Sequence, residues 1–191
     1  MTDPTAIEYR AATTLGVNVK QRIVELVVMP YEQEAVVGYQ GRTITEVCSR
    51  GAYDGIERRA NRVRVNRDHD PSRLVGKAIT FHPSRDIGLV AEVRMSKTVL
   101  GDETLELAED GVLDASAGFG VMDGGETWEN RDRRRLTKCF LHHIGMTPDP
   151  AYEGANVLAV RHADLTPAGS GTPFLDRVLA ERLAVQYGLD Q

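Results

Sequence analysis

GVLDASAGFGVM, residues 111–122, alternates with a period of two. Leu113, Ala115, Ala117, Phe119 and Val121 fall on one face of an extended strand, and Asp114, Ser116, Gly118 and Gly120 on the other. Ser116 is the lone hydroxyl on a face of small residues, and glycine in a strand marks a place where another backbone can approach closely. Just upstream, Asp102 to Asp110 reads as a short acidic helix with Leu105, Leu107 and Ala108 inward. Gly111 stops it and delivers the chain into the Ser116 strand.

Working outward, RIVELVVMPY (22–31) is a strand rich in Val and Ile that Pro30 ends, and Gly38 to Cys48 supplies a second, anchored by Ile44 and Val47. Asp54 is placed to cap a short helix carrying Ile56, Arg58, Arg59 and Arg62. VRVNRDHD (63–70) puts Val63, Val65, Arg67 and His69 on one side of a strand that stops at Pro71. Val75 to Met95 reads as a hairpin around PSRD (83–86), with His82 at the turn. Downstream, Asp123-Gly124-Gly125 signals another hairpin with Trp128 on its return, and RRRLTKCFLHHIGM (133–146) reads as one long last strand. Many short strands and few short helices predict a mainly β, α+β chain: a small closed or nearly closed β-barrel surrounded by helices.

The ends differ from this middle. Residues 1–19 carry little periodicity and read as a flexible arm. DLTPAGSGT (164–172) reads as a linker, followed by a C-terminal helix with Leu175, Val178, Leu179 and Leu183 on one side. The domain between them spans residues 20–163.

With 191 residues, 41% hydrophobic and 27% charged, the chain can bury one sizeable core. A formal charge of −5 argues against general nucleic-acid binding, which needs a basic surface. No apolar run reaches the length of a membrane span and no signal pattern opens the chain, so no membrane partner is expected and the protein should act inside a cell. Cys48 and Cys139 match no metal or redox spacing and read as reduced core residues.

A serine hydroxyl becomes a nucleophile when a neighbouring base takes its proton and a third group orients that base. His69, Ser116 and one of the pair His142 and His143 supply the three parts, each from its own strand-like segment. Acyl transfer is the reaction class that follows, and proteolysis is its common use where an extended peptide can lie. Asp114 is a rival third member because it shares the face of Ser116, and His142 is another. Backbone N–H groups near Ala117 and Gly118 are candidate oxyanion donors, with Arg133 to Arg135 as a weaker option.

The residues resemble the tailed-phage prohead (capsid maturation) proteases, which are related in fold to the herpesvirus assemblins. The resemblance runs over about residues 22 to 160, on TEVCSRGAYD (45–54), NRDHDPSRLVGKA (66–78), GVLDASAGFGV (111–121) and LHHIGMTPDPAYEGANV (141–157). It implies an assemblin-like barrel, His69 as general base and Ser116 as nucleophile. Where such phage proteases usually carry a glutamate, this chain reads L-H-H-I-G, and counting back from Pro150-Ala151 puts His143 on that position. A Ser-His-His triad of the assemblin kind results, without cofactor or metal. The resemblance further implies cleavage of scaffold or of the major capsid protein's scaffolding segment in the procapsid, inside the host cytoplasm, and commonly self-cleavage. On this reading residues 164–191 are a docking or processed tail; a homodimer is left open.

Two other readings stand beside it. A metal-dependent hydrolase would use His69, Asp70, His142 and His143, although neighbours on a strand point to opposite faces. A scaffold- or shell-binding protein would have kept the fold and lost the chemistry.

Overall fold

The computed structural model describes residues 8–18 and 21–148. It is mainly β. Seven strands pair in the order β1 (Glu8–Asn18), β2 (Ile23–Pro30), β7 (Gly88–Met95), β6 (Leu74–His82), β5 (Arg64–Arg67), β11 (Cys139–Thr147) and β8 (Asp114–Val121), and β8 pairs back onto β1 to close the curl. A second sheet runs β3 (Glu34–Tyr39), β4 (Arg42–Cys48), β10 (Arg133–Leu136), β9 (Glu126–Asn130).

The alternation of the strands explains the core. Val24, Leu26 and Val28 of β2, Val75 and Ala78 of β6, Leu89, Ala91 and Val93 of β7, and Ala115, Ala117 and Phe119 of β8 are all fully buried. Cys48 and Leu136 join the same cluster from the second sheet. Both cysteines are buried and neither is in a disulfide.

Several expectations change. Among the described residues no ring of helices surrounds the barrel: the helical elements there are α1 (Val99–Glu109) and a single 3-10 turn at Ile56–Arg59. Part of the covering falls to the second sheet instead, through the side chains it adds to the core. The turn is capped by Gly55, not Asp54, and forms no α-helix. α1 starts three residues early because Thr98 Oγ1 accepts the Gly101 N–H at 3.1 Å. The arm expected over residues 1–19 contains β1, whose Thr- and Ala-rich sequence has no clear period but whose backbone pairs with both β2 and β8. Gly38 to Cys48 is not one strand, because Gln40 and Gly41 take positive φ (47° and 77°) and fold β3 onto β4. Asp123 to Gly125 makes no hairpin; it carries the chain out of β8 into the second sheet, where β9 pairs with β10. The last long strand is likewise two, β10 and β11, in different sheets, parted at Thr137 and Lys138. The linker and C-terminal helix of 164–191 lie outside the described residues.

Arg133, Arg134 and Arg135 sit on β10, and Arg134 is fully buried. Its guanidinium donates to Glu46 through Nε at 2.9 Å and through a second nitrogen, and pairs with Glu126 at 3.1 Å. It lies 4.2 Å from the centre of the Tyr39 ring. Arg133 pairs with Glu34 and Glu129, and Arg135 with Glu32 and Glu129.

Breaking a buried ion pair leaves a charge without compensation, so Arg134→Met should cost about 3–5 kcal/mol. In urea melts the Glu46→Leu, Arg134→Met double variant should lose less than the sum of the single losses; an additive result would show that the two charges are not coupled.

Candidate active site

β8 sits between β1 and β11, with Ser116 facing away from the core side chains Ala115, Ala117 and Phe119. It is not an exposed edge serine; it is 2% exposed. Its register partner on β11 is Gly145.

The pairing of β8 with β11 carries an irregularity that decides the site. Leu141 lies opposite Phe119, and His143, not His142, lies opposite the next residue, Gly118. His142 is an extra residue in β11, a β-bulge. The bulge resets the phase of the strand: Leu141 and Ile144, three apart, are both fully buried, while His143 and Gly145 share the outer face with Gly118 and Ser116 through their register.

That face is bare of side chains in order to hold rings. A Cβ on Gly118 would lie 2.6 Å from Nε2 of His143, so the imidazole rests on the glycine. Phe140 covers Gly120 in the same way. A Cβ on Gly145 would lie 2.7 Å from Cε1 of His69, so the His69 ring fills the position beside Ser116 that a side chain opposite it would take.

His69 is not on a strand. β5 ends at Arg67, and Asp68 and His69 both take left-handed φ values, 55° and 58°. Two consecutive non-glycine residues there are costly, and such strain persists where the surroundings over-determine it. Here the Asp68 N–H donates to the Met146 carbonyl at 3.0 Å, Asp68 pairs with Arg73 at 2.6 Å, and Asp70 accepts from Ser72 through both N–H and hydroxyl. The two aspartates therefore pin the turn, and the turn swings the ring over β11.

His69 Nδ1 lies 2.8 Å from His143 Nε2, and His143 Nδ1 lies 3.0 Å from Nδ1 of the exposed His142. The rings meet edge to face, with centres 5.1 Å and 5.3 Å apart. Burial pushes the His69 imidazole below its ordinary value, against a smaller upward pull from Asp68. Burial, then the neighbouring imidazoles of His69 and His142, push His143 down to about 4.

The contact of His142 with His143 corrects the expectation that the adjacent pair points to opposite faces; that holds for a regular strand and fails at a bulge. Among the described residues, however, no group of three or more His, Cys, Asp or Glu side chains is arranged to hold a metal ion. Asp114 lies opposite Thr147, beyond the Ser116–Gly145 pair, and among the described residues its buried Oδ1 has no hydrogen-bond partner; burial raises its carboxyl to about 6. Ala117 and Gly118 lie in a strand paired on both sides. Arg133 to Arg135 belong to the second sheet, where glutamates hold them. Sequence reasoning missed Gly145 as the seat of His69 and His142 as a ring partner; the signal was there in LHHIGM, whose core residues are spaced three apart where a strand demands two.

Among the described residues no helix is long and apolar enough to cross a membrane. Neither a curated protein nor a solved structure matches the chain. A family model does, over residues 27–167, which take in the second half of β2, β3 through β11, and Ser116, His69, His142 and His143: the chain belongs to the caudovirus prohead serine protease family.

Proposed function

We propose that this chain is the endopeptidase of prohead maturation, cutting scaffold or the scaffolding segment of the major capsid protein, and itself, within the assembling procapsid. Its curled sheet is read as an assemblin-like barrel, with Ser116, His69 and His143 as the triad. The observation that carries this is the His69 ring, seated on Gly145 beside Ser116 with Nδ1 2.8 Å from His143 Nε2, in a chain of a serine-protease family.

His69 Nε2 takes the proton of Ser116 as Oγ attacks the scissile carbonyl carbon. It then gives that proton to the departing amine, and the acyl-enzyme is hydrolysed by a water that His69 activates in turn. For Nε2 of His69 to be the free base, its proton must sit on Nδ1 and be donated to His143 Nε2. His143 must then carry its own proton on Nδ1 and donate it to His142 Nδ1. The three rings form one directed chain that begins at the serine and ends at an exposed imidazole. His143, held neutral by burial, keeps the lone pair that this direction needs, but it offers His69 no negative charge. The opposite tautomer of His142, with its one proton on Nδ1, would reverse each bond and leave His69 with the wrong nitrogen protonated.

Ser116→Ala and His69→Ala should abolish shortening of the coexpressed capsid protein, read by mass spectrometry, and His69→Ala should slow fluorophosphonate labelling of Ser116 about 10⁴-fold. His143→Glu should keep or raise the rate, because a carboxylate orients and stabilises the imidazolium better. Full capsid trimming by Ser116→Ala would refute the mechanism.

His142→Phe should slow labelling a few-fold, the worth of about one hydrogen bond, and His142→Glu, which can only accept, should restore it. Since the His69 pKa is depressed, its neutral form persists below the ordinary 6.5, and the acid limb of the labelling rate should be centred below pH 6.5. A limb centred above that value would contradict the buried base.

A further inference from the structure

The outer face that holds the imidazoles continues sideways into a row of cations. Register runs from Gly118 to His143 across β8 and β11, from His143 to Arg64 on β5, from Arg64 to Lys77 on β6, and from Lys77 to Arg94 on β7. Residues in register on neighbouring strands point to the same side, so Arg64, Lys77 and Arg94 stand directly opposite one another. All three are exposed, as is Lys97 nearby.

Like charges placed opposite in a sheet repel. This chain holds 28 carboxylate side chains against 23 Lys and Arg, enough to interleave acids here. It does so on β10, where each of three arginines has a glutamate. Along the row it does not: among the described residues Arg64, Lys77, Arg94 and Lys97 have no ion-pair partner. Arg22 beside them is answered by Asp102 at 2.5 Å. These five cations rim a cavity of about 590 Å³ that Leu74, 46% exposed, also lines.

We infer that this cavity is the subsite for an acidic stretch of the polypeptide substrate, carboxylates meeting the Arg64–Lys77–Arg94 row and an apolar side chain meeting Leu74. The inference rests on the protease reading for its substrate. Strands lie about 4.8 Å apart, so Arg64, Lys77 and Arg94, two to four strands from that of Ser116, lie about 10–19 Å from it across the sheet, and an extended peptide covers about 3.3 Å per residue. The acidic residues should therefore fall about three to six positions from the cleaved bond, on one side of it. Because the curled sheet closes on itself, a substrate there must cross the strands and cannot add to an edge.

The test is fluorescence anisotropy of the full chain with a fluorescein-labelled, glutamate-rich octapeptide bearing a central leucine, beside its glutamine counterpart and a labelled DNA duplex. The acidic peptide should bind at least tenfold more tightly than the glutamine peptide, and about 0.5 M salt should weaken it. Arg64→Glu, Lys77→Glu and Arg94→Glu together should remove the preference; the milder triple glutamine variant should weaken it at least tenfold and guards against misfolding of the first. Equal affinity for both peptides, no effect of either triple variant, or tighter binding of the duplex would overturn the inference. Fluorophosphonate labelling of wild-type Ser116 reads the catalytic reading separately. Absent labelling with the acidic preference intact would sink the protease and leave the subsite standing.

Discussion

One extra residue in one strand governs the site. With β11 regular, Leu141 and Ile144 could not both face the core, and a strand that buried one would expose the other. The bulge at His142 lets both be buried, and its consequence on the outer face is that His143 is brought onto Gly118 and Gly145 is set opposite Ser116. Core packing and ring placement are thus one constraint. The apolar side enforces a register that the polar side could not enforce alone, because each fully buried Leu or Ile is worth about 1.5–3 kcal/mol, more than a hydrogen bond between neutral rings.

The glycines complete that logic. A strand residue normally carries a side chain that keeps neighbours at a distance, and on β8 and β11 the face around Ser116 gives this up at Gly118, Gly120 and Gly145. Two of these positions seat imidazoles and one seats Phe140. Room that reads in the sequence as space for a substrate backbone is, in the fold, the bed of the rings of His69, His143 and Phe140. The strain of Asp68 and His69 belongs to the same construction, since a ring that must lie over β11 from the end of β5 needs a chain that turns sharply.

Much of this was legible in order along the chain. The alternation of β8 is strict, so its faces and the isolation of Ser116 could be read directly, as could the β6–β7 hairpin from its two apolar runs and intervening Pro-Ser-Arg-Asp. What could not be read was long-range partnership. Asp123-Gly124-Gly125 is turn chemistry whether the next strand folds back or leaves for another sheet, and only the glutamates on β4 and β9 decide that RRRL belongs with them. β1 has no apolar rhythm because its place is set by backbone pairing on both sides. The bulge was half visible: apolar residues three apart inside a strand state that a residue is extra, but not which histidine is the extra one.

The depressed basicity of the central rings sets what kind of catalyst this can be. A base made weak by burial is unprotonated and ready at neutral pH, yet each unit by which its pKa falls also lowers its pull on the serine proton. A carboxylate as third member would repay part of that loss by stabilising the imidazolium; His143, itself held down to about 4, cannot. On the proposed mechanism the enzyme therefore trades rate for readiness, and rate must be recovered through the residence and concentration of the substrate. On that reading a shell interior packed with the target supplies concentration, and a cationic row three strands wide on the same face as Ser116 supplies residence. Weak chemistry and a strongly charged approach are then two halves of one design, in which selectivity rests on where the chain is held and not on how fast its bond is cut.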